Sequence, residues 1–249
     1  MATKFDQFRD LHTPGEPLIL FNVWDAGSAD AAARAGSKAI ATGSASVAAA
    51  NGFGDGEDVP MVFALANAER IVGAVELPVT VDFEGGYAAD PGQVAANFAL
   101  LAAAGAIGCN FEDQMVGGEG LWPVLGQCER LKAARLAVGD AFFINARTDI
   151  FLKAKPDEHD AAAADAAIER AIAYAEAGAS GYFIPGLANL ELVERIAKAS
   201  PIPVNAMWLP SGPTNAQWAD AGIARISHGP FPQMALMTTL EEMAREALA

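Results

Sequence analysis

Short, almost purely apolar runs recur along the chain, each followed by a longer stretch in which apolar residues return at the helical period. A strand buried on both faces gives the first kind of run, an amphipathic helix the second. Taken in order, the runs predict strands at residues 17–24, 38–42, 79–84, 106–112, 141–148, 181–185, 203–208 and 223–227. Between and after them the helical period predicts helices at 28–35, 61–76, 91–104, 127–138, 160–177, 190–199, 214–221 and 231–248. The same join closes four of the helices: Ala35-Gly36, Ala104-Gly105, Ala177-Gly178 and Ala221-Gly222 each precede an apolar strand. Glycine at that position accepts the left-handed conformation that ends a helix. Ser28 is placed to cap the first helix, Asp90-Pro91 opens another, and Thr214 with Gln217 forms a capping box. Strict alternation of strands and helices implies parallel βα units, and eight of them in one chain imply a closed (β/α)8 TIM barrel.

Composition agrees with that size of core. The chain has 249 residues, 52% of them hydrophobic and 19% charged, with no shift that divides it, so residues 1–249 are expected to form one barrel domain. A net charge of −15 repels phosphate backbones and anionic membranes. Nucleic-acid and membrane partners are therefore not expected. No apolar run suits a membrane span or a leader, and Cys109 and Cys128 have neither metal-ligand nor disulfide spacing, so a cytoplasmic protein is expected.

In such a barrel the chemistry sits at the C-terminal ends of the strands. Those ends carry Trp24 and Asp25, Thr42-Gly43-Ser44, Asp82 and Glu84, Glu112 and Asp113, Arg147 and Asp149, Pro185, Asn205 and His228. In VTVDFEGGY, Asp82 and Glu84 would share one face of a strand, roughly 6.6 Å apart. That spacing suits a hard cation held by one carboxylate directly and by the other through water; the alternative is a solvated strand end. With Glu112 added, a metal site is the better reading, and carboxylates without histidine or thiolate favour Mg²⁺ or Mn²⁺ over zinc. Arg147, the one cation at the strand ends, matches a carboxylate bidentately or else neutralises Glu112 or Asp149. Gly43-Ser44 can present backbone N–H groups to an anion. A small anionic carboxylate is the expected partner. Trp24, Trp208, Phe83 and His228 read as packing.

The ordered motifs NVWDAGSADAAARAG, ATGSASVAAANGFGD, VDFEGGY, GCNFEDQ, INARTD and PVNAMWLPSG resemble the isocitrate lyase/phosphoenolpyruvate mutase superfamily over almost the whole chain. The resemblance implies a barrel of the phosphoenolpyruvate/pyruvate-binding type, with Mg²⁺ stabilising an enolate while a C–C or P–C bond forms or breaks. It implies that Asp82 ligates the metal most directly and that Glu84 and Glu112 complete its shell. Arg147 would grip the substrate carboxylate with the Gly43-Ser44 amides, Asp55 would lie near the bound substrate, and Asp25, Trp24 and Asn205 would stand at the mouth. Arg147, Asp55 and Glu112 are thus the expected catalytic residues. The chain departs from the family where the lyases carry K-[KR]-C-G-H: its loop reads DQMVGGEGLWPVLG, without cysteine or histidine. It also has Pro185 where the mutases place a histidine, and lacks their asparagines in the loop.

Retro-aldol cleavage needs a proton acceptor and a donor, which this loop does not offer. Decarboxylation of a 2-oxo acid needs neither at carbon, so a Mg²⁺-dependent lyase on an oxaloacetate-type acid is the first expectation. Phosphonopyruvate hydrolase-like or mutase-like chemistry is the second, and a barrel that binds metal and carboxylate without turnover the third. Loop residues 117–126 are expected to read the substrate's far end. The last helix, with Phe231, Met234, Leu236, Met237 and Leu240, would cover the barrel or pack against a partner subunit, and a homo-oligomer (dimer or tetramer) is expected.

Overall fold

The computed structural model describes residues 2–249. Its elements run α1 (Lys4–Asp10), β1 (Leu18–Leu20), β2 (Asn22–Val23), α2 (Ala26–Arg34), β3 (Ile40–Thr42), α3 (Ser44–Ala50), α4 (Met61–Ala74), β4 (Val79–Asp82), α5 (Pro91–Ala103), β5 (Gly108–Glu112) and α6 (Val124–Val138). They continue with β6 (Phe143–Arg147), α7 (Ile150–Lys153), α8 (Ala161–Glu176), β7 (Gly181–Phe183), α9 (Leu190–Ala199), β8 (Val204–Met207), α10 (Asn215–Asp220), β9 (Arg225–Ser227) and α11 (Phe231–Leu248). Every strand pair is parallel, and the order β1-β9-β8-β7-β6-β5-β4-β3-β2 follows the chain around a barrel.

The first expected strand is two. β1 pairs with β9, Leu18 opposite Arg225, whereas β2 pairs with β3, Asn22 opposite Ala41. A tilted, sheared barrel has to hand one segment from its last strand to its second. Here the exchange falls at Phe21, which is turned outward. Because β1 and β2 belong to one continuous segment, the exchange brings the ends of the sheet together. Three short helices also went unforeseen. α1 covers the N-terminal end of the barrel, where Phe8 packs edge-on against Phe143 with ring centroids 5.2 Å apart. α3 springs directly from β3 in what reads as loop, and α7 follows β6.

The helix punctuation is largely as the sequence implies. Gly36, Gly105, Gly178 and Gly222 all take positive φ after their helices, and Asp90 and Thr214 accept N–H groups of the first turn. The cap of α2 is Asp25 rather than Ser28: its carboxylate accepts the Ser28 N–H at 2.7 Å, and the Ser28 hydroxyl answers to the Asp25 backbone. Such caps contribute about 1 kcal/mol each. α11 does not cover the barrel. It is anchored by Pro232 and Gln233, and from Met234 onward its residues are exposed. Among the described residues no helix is long and apolar enough to cross a membrane.

Candidate active site at the barrel mouth

β4 delivers Asp82 to the mouth and ends there. Its carboxylate accepts three hydrogen bonds: Oδ2 from the Ser44 N–H (3.1 Å) and hydroxyl (3.0 Å), and Oδ1 from the Asn110 amide (3.2 Å). Glu84 does not continue the strand, as alternation had suggested. It lies in a turn with φ of 49°, followed by Gly86 at 78°, and a Cβ on Gly86 would come within 2.9 Å of the Phe111 ring. The two acids nevertheless line one small cavity of about 20 Å³, with Thr42, Ser44 and Tyr87, which has room for about one water. Burial, with Asp82 and Asp55 close by, raises the Glu84 carboxyl to a pKa of about 8.

Asp82 also faces a larger cavity of about 200 Å³ at the centre of the mouth. Its polar side is made by Asn22, Gly43, Ser44, Asp55, Asn110, Arg147 and Ser227. Asp55 reaches it from the segment 51–60 and stays exposed at the rim; partial burial and the charge of Asp82 raise its pKa, against a hydrogen bond from Ser44. Arg147 is bound on two sides, by Asp149 through Nε and Nη2 (2.6 and 3.0 Å) and by Glu112 through Nη1 (2.9 Å). The neutralising role anticipated as the alternative is therefore part of its geometry, although the side chain still borders the cavity. Burial raises the Glu112 pKa against the pull of Arg147. Burial opposes the charge on Arg147, but Glu112 and Asp149 outweigh it and raise its pKa.

The remaining expected residues fall elsewhere. Asp25 is spent on the α2 cap; Trp24 is buried, its carbonyl accepting the Asn67 amide at 2.9 Å. Asn205 lies in the barrel interior, where Asn145 donates to it at 3.1 Å. The Gly43 N–H is taken by the Val23 carbonyl and the Ser44 N–H by Asp82, so neither stands free as an anion nest. Loop residues 117–126, expected to read the substrate's far end, line no part of the mouth cavity, and neither do 114–116. Gln114 and Leu121 pair across a tight hairpin that folds away from the centre and borders a separate cavity with Gly85, Tyr87 and Arg130.

Three features had no clear sequence signal. Glu57 reaches Glu84's turn: its N–H donates to the Glu84 carboxylate, and its own carboxylate accepts the Tyr87 N–H at 2.7 Å. Beneath the mouth, buried Arg225 donates to Asn110 at 3.1 Å, and Asn110 in turn holds Asp82. Opposite the acids, the cavity wall is apolar: Leu152, Phe183, Pro185, Met207 and Pro230.

Asp82 and, through water, Glu84 could hold a divalent cation. Among the described residues no three His, Cys, Asp or Glu side chains converge into a closed ligand set. That suits Mg²⁺, which keeps most of its waters and takes one or two carboxylates. The charge of Asp82 helps raise the pKa of both Asp55 and Glu84, so the site is short of positive charge, which a cation would supply. Glu112, expected as a third ligand, is committed to Arg147 instead.

A parallel barrel with an acidic, arginine-bearing mouth is the setting in which the comparisons fall. Residues 8–248 match the family model described as phosphoenolpyruvate phosphomutase, and the chain belongs to that family. A crystal structure from Burkholderia cenocepacia J2315, provisionally named a phosphonomutase, is 49% identical with a TM-score of 0.95, covering 98% of both chains. An uncharacterized Mycobacterium tuberculosis protein is 31% identical over 96% of this chain and 87% of its own. The 2-methylisocitrate lyase of Escherichia coli is 31% identical over 80% of this chain and 68% of its own. Phosphonopyruvate hydrolase, in a crystal complex with oxalate and Mg²⁺, shares the fold at 21% identity and a TM-score of 0.85, over 98% of this chain and 87% of that one.

Proposed function

We propose that the chain is a Mg²⁺-dependent lyase (Mn²⁺ would serve the same site) that cleaves a C–C bond of a small 2-oxo acid through an enolate, and that decarboxylation of an oxaloacetate-type acid is its reaction. The observation that carries this reading is Asp82, shared by the water-sized cavity beside Glu84 and the larger cavity of the mouth. When bound there, the metal supplies positive charge to the developing enolate oxygen. The Ser44 N–H and hydroxyl, which donate to Asp82 and border the mouth cavity beside Arg147, would hold the substrate carboxylate. Asn110, fixed from below by Arg225, keeps Asp82 aimed into the mouth. Decarboxylation asks no side chain to deprotonate carbon, in keeping with a hairpin 114–122 that brings neither acid nor base to the centre.

Phosphorus–carbon chemistry on a phosphonopyruvate-type substrate is a second reading, favoured by the provisional name of the 49%-identical relative. Pro185 borders the cavity where the resemblance implies a mutase histidine, which weighs against it. The test is pyruvate release from 2-oxo acids, 2-hydroxy acids and phosphonopyruvate, with and without Mg²⁺. Metal-dependent oxaloacetate turnover that is abolished in Asp82→Ala is expected; phosphate release from phosphonopyruvate would favour the second reading. Oxalate binding without any turnover would leave the non-catalytic barrel. We further propose that the exposed apolar face of α11 packs against a second copy of the chain in a homo-oligomer.

A further inference from the structure

The mouth cavity is divided. Every charged group bordering it lies on the side of β3, β4 and β6: Asp55, Asp82 and Arg147. The other side is Leu152, Phe183, Pro185, Met207 and Pro230, flanked in the sheet by Arg147 beside Phe183 and Ser227 beside Met207. Three of the five N–H groups of Arg147 are held by Asp149 and Glu112, which fixes the guanidinium on the charged side. The apolar side is also held in place. Phe183 is buried, and Leu152 rides on α7, whose first turn is fixed by the Asp149 N–H donating to the buried Asp113 carboxylate at 3.0 Å.

A 2-oxo dicarboxylate bound by its head on the charged side must put its second carboxylate against this wall. A carboxylate is poorly hosted against these apolar side chains, which offer it no donor. Carbon dioxide, uncharged and apolar, is hosted well. A wall that disfavours the starting anion and accepts the neutral product lowers the barrier between them, since only differential interaction accelerates a step.

We propose that Leu152, Phe183, Pro185, Met207 and Pro230 form the subsite for the carboxylate that leaves, and that this wall selects decarboxylation. The inference rests on the lyase reading above and names where its bond breaks. In the step, the C3–C4 bond of the oxaloacetate-type acid breaks and C4 departs as carbon dioxide. The electron pair moves into the C2–C3 enolate, whose oxygen faces the charged side, and C3 then takes a proton from solvent to give pyruvate. Charge therefore moves from the apolar side to the polar side as the bond breaks, in the direction that the division of the cavity favours.

The experiment places a cation on the wall. In Leu152→Arg, on the half-exposed α7, and independently in Met207→Lys, the departing carboxylate gains a partner. KM for oxaloacetate should fall while kcat falls at least tenfold in both variants. Calorimetry with L-malate, which keeps both carboxylates but cannot follow this route, should show at least tenfold tighter binding to Leu152→Arg. A purely structural wall would lose kcat without tightening malate, and unchanged or raised kcat in the arginine and lysine variants would equally overturn the inference. Should one variant fail to fold, the other carries the test. If the parent chain binds oxalate with Mg²⁺ but does not decarboxylate oxaloacetate, the lyase reading itself fails. Parent turnover without the KM-against-kcat split sinks the subsite alone.

Discussion

The segment 51–60 after α3 and the hairpin 114–122 after β5 flank β4 on opposite sides, yet they meet the turn that carries Glu84 in different ways. The first is fastened into it. Glu57 gives its N–H to Glu84 and takes the Tyr87 N–H, so that the segment bearing Asp55 and the turn bearing Glu84 hold each other. Among the described residues the only non-glycine positions with positive φ are Glu57, Glu84 and Tyr87, and all three belong to this clasp. Each costs about 1–3 kcal/mol, an expense that persists only where surrounding contacts fix the conformation. The hairpin, by contrast, closes on itself and stacks Trp122 over Arg130 from outside the mouth. In the lyases that this chain resembles, the loop at the hairpin's position carries the acid/base cysteine. Here order at the mouth comes from the other loop.

Arg130 is the post shared by the hairpin and the turn that carries Glu84, and its loss should have the largest effect. It is buried, donates to the Gly85 and Ala88 carbonyls, and lies between the Phe111 and Trp122 rings at 4.8 and 4.7 Å. Arg130→Met strips donors from two carbonyls under the Gly85-Gly86 turn, at about 1–3 kcal/mol each, partly offset by removing a buried charge. A fall of about 2–4 kcal/mol in unfolding free energy by urea titration is expected, with turnover impaired as well. If stability holds, the hairpin and the turn that carries Glu84 are independent of this anchor.

Glu57→Ala should then separate them. It removes the carboxylate that holds Tyr87 while leaving the hairpin and its stacking intact. Turnover should fall at least tenfold, proteases should cut within 51–60, and unfolding free energy should change by only about 1–2 kcal/mol. Cleavage in the hairpin instead would reverse the assignment. Metal removal gives a gentler version of the same division. Chelation should speed amide exchange in 51–60 and 84–88, because the acids there repel one another, and leave 114–122 unchanged.

Much of this frame was legible in the chain, and the reasons mark where legibility stops. Strand–helix alternation and the four Ala-Gly joins encode local preferences, so the barrel and its helix ends follow from them. Asp82 was readable because it closes an apolar strand. Glu84 was misplaced because two glycines directly after it let the chain leave the strand early, which alternation does not register. The break at Phe21 comes from closing the ring, a property of the whole sheet. Glu57 sits 27 residues from Glu84, and the five residues of the apolar wall come from four separate places in the chain. Both are tertiary juxtapositions, and nothing in local composition announces them. Arg147 was readable as the mouth's cation, but its two carboxylate partners became certain only once β5 and β6 stood in register, Glu112 opposite Arg147.

The smallest expected effect is the one that confirms the hairpin's quiet role. Trp122 lies over Arg130, its N–H bonded to the Asp113 carbonyl at 2.7 Å and its carbonyl accepting from Arg170 at 3.0 Å. These backbone bonds survive substitution, so Trp122→Leu removes the ring alone. A stacked guanidinium–indole pair contributes about 0.5–2 kcal/mol, and urea titration should show a loss in that range. Turnover of the 2-oxo acid should stay within about twofold, because no atom of 114–122 borders the mouth cavity. A tenfold loss of kcat with unchanged stability would mean that the hairpin swings over the mouth during the reaction, and the contrast between the two loops would then describe one resting state.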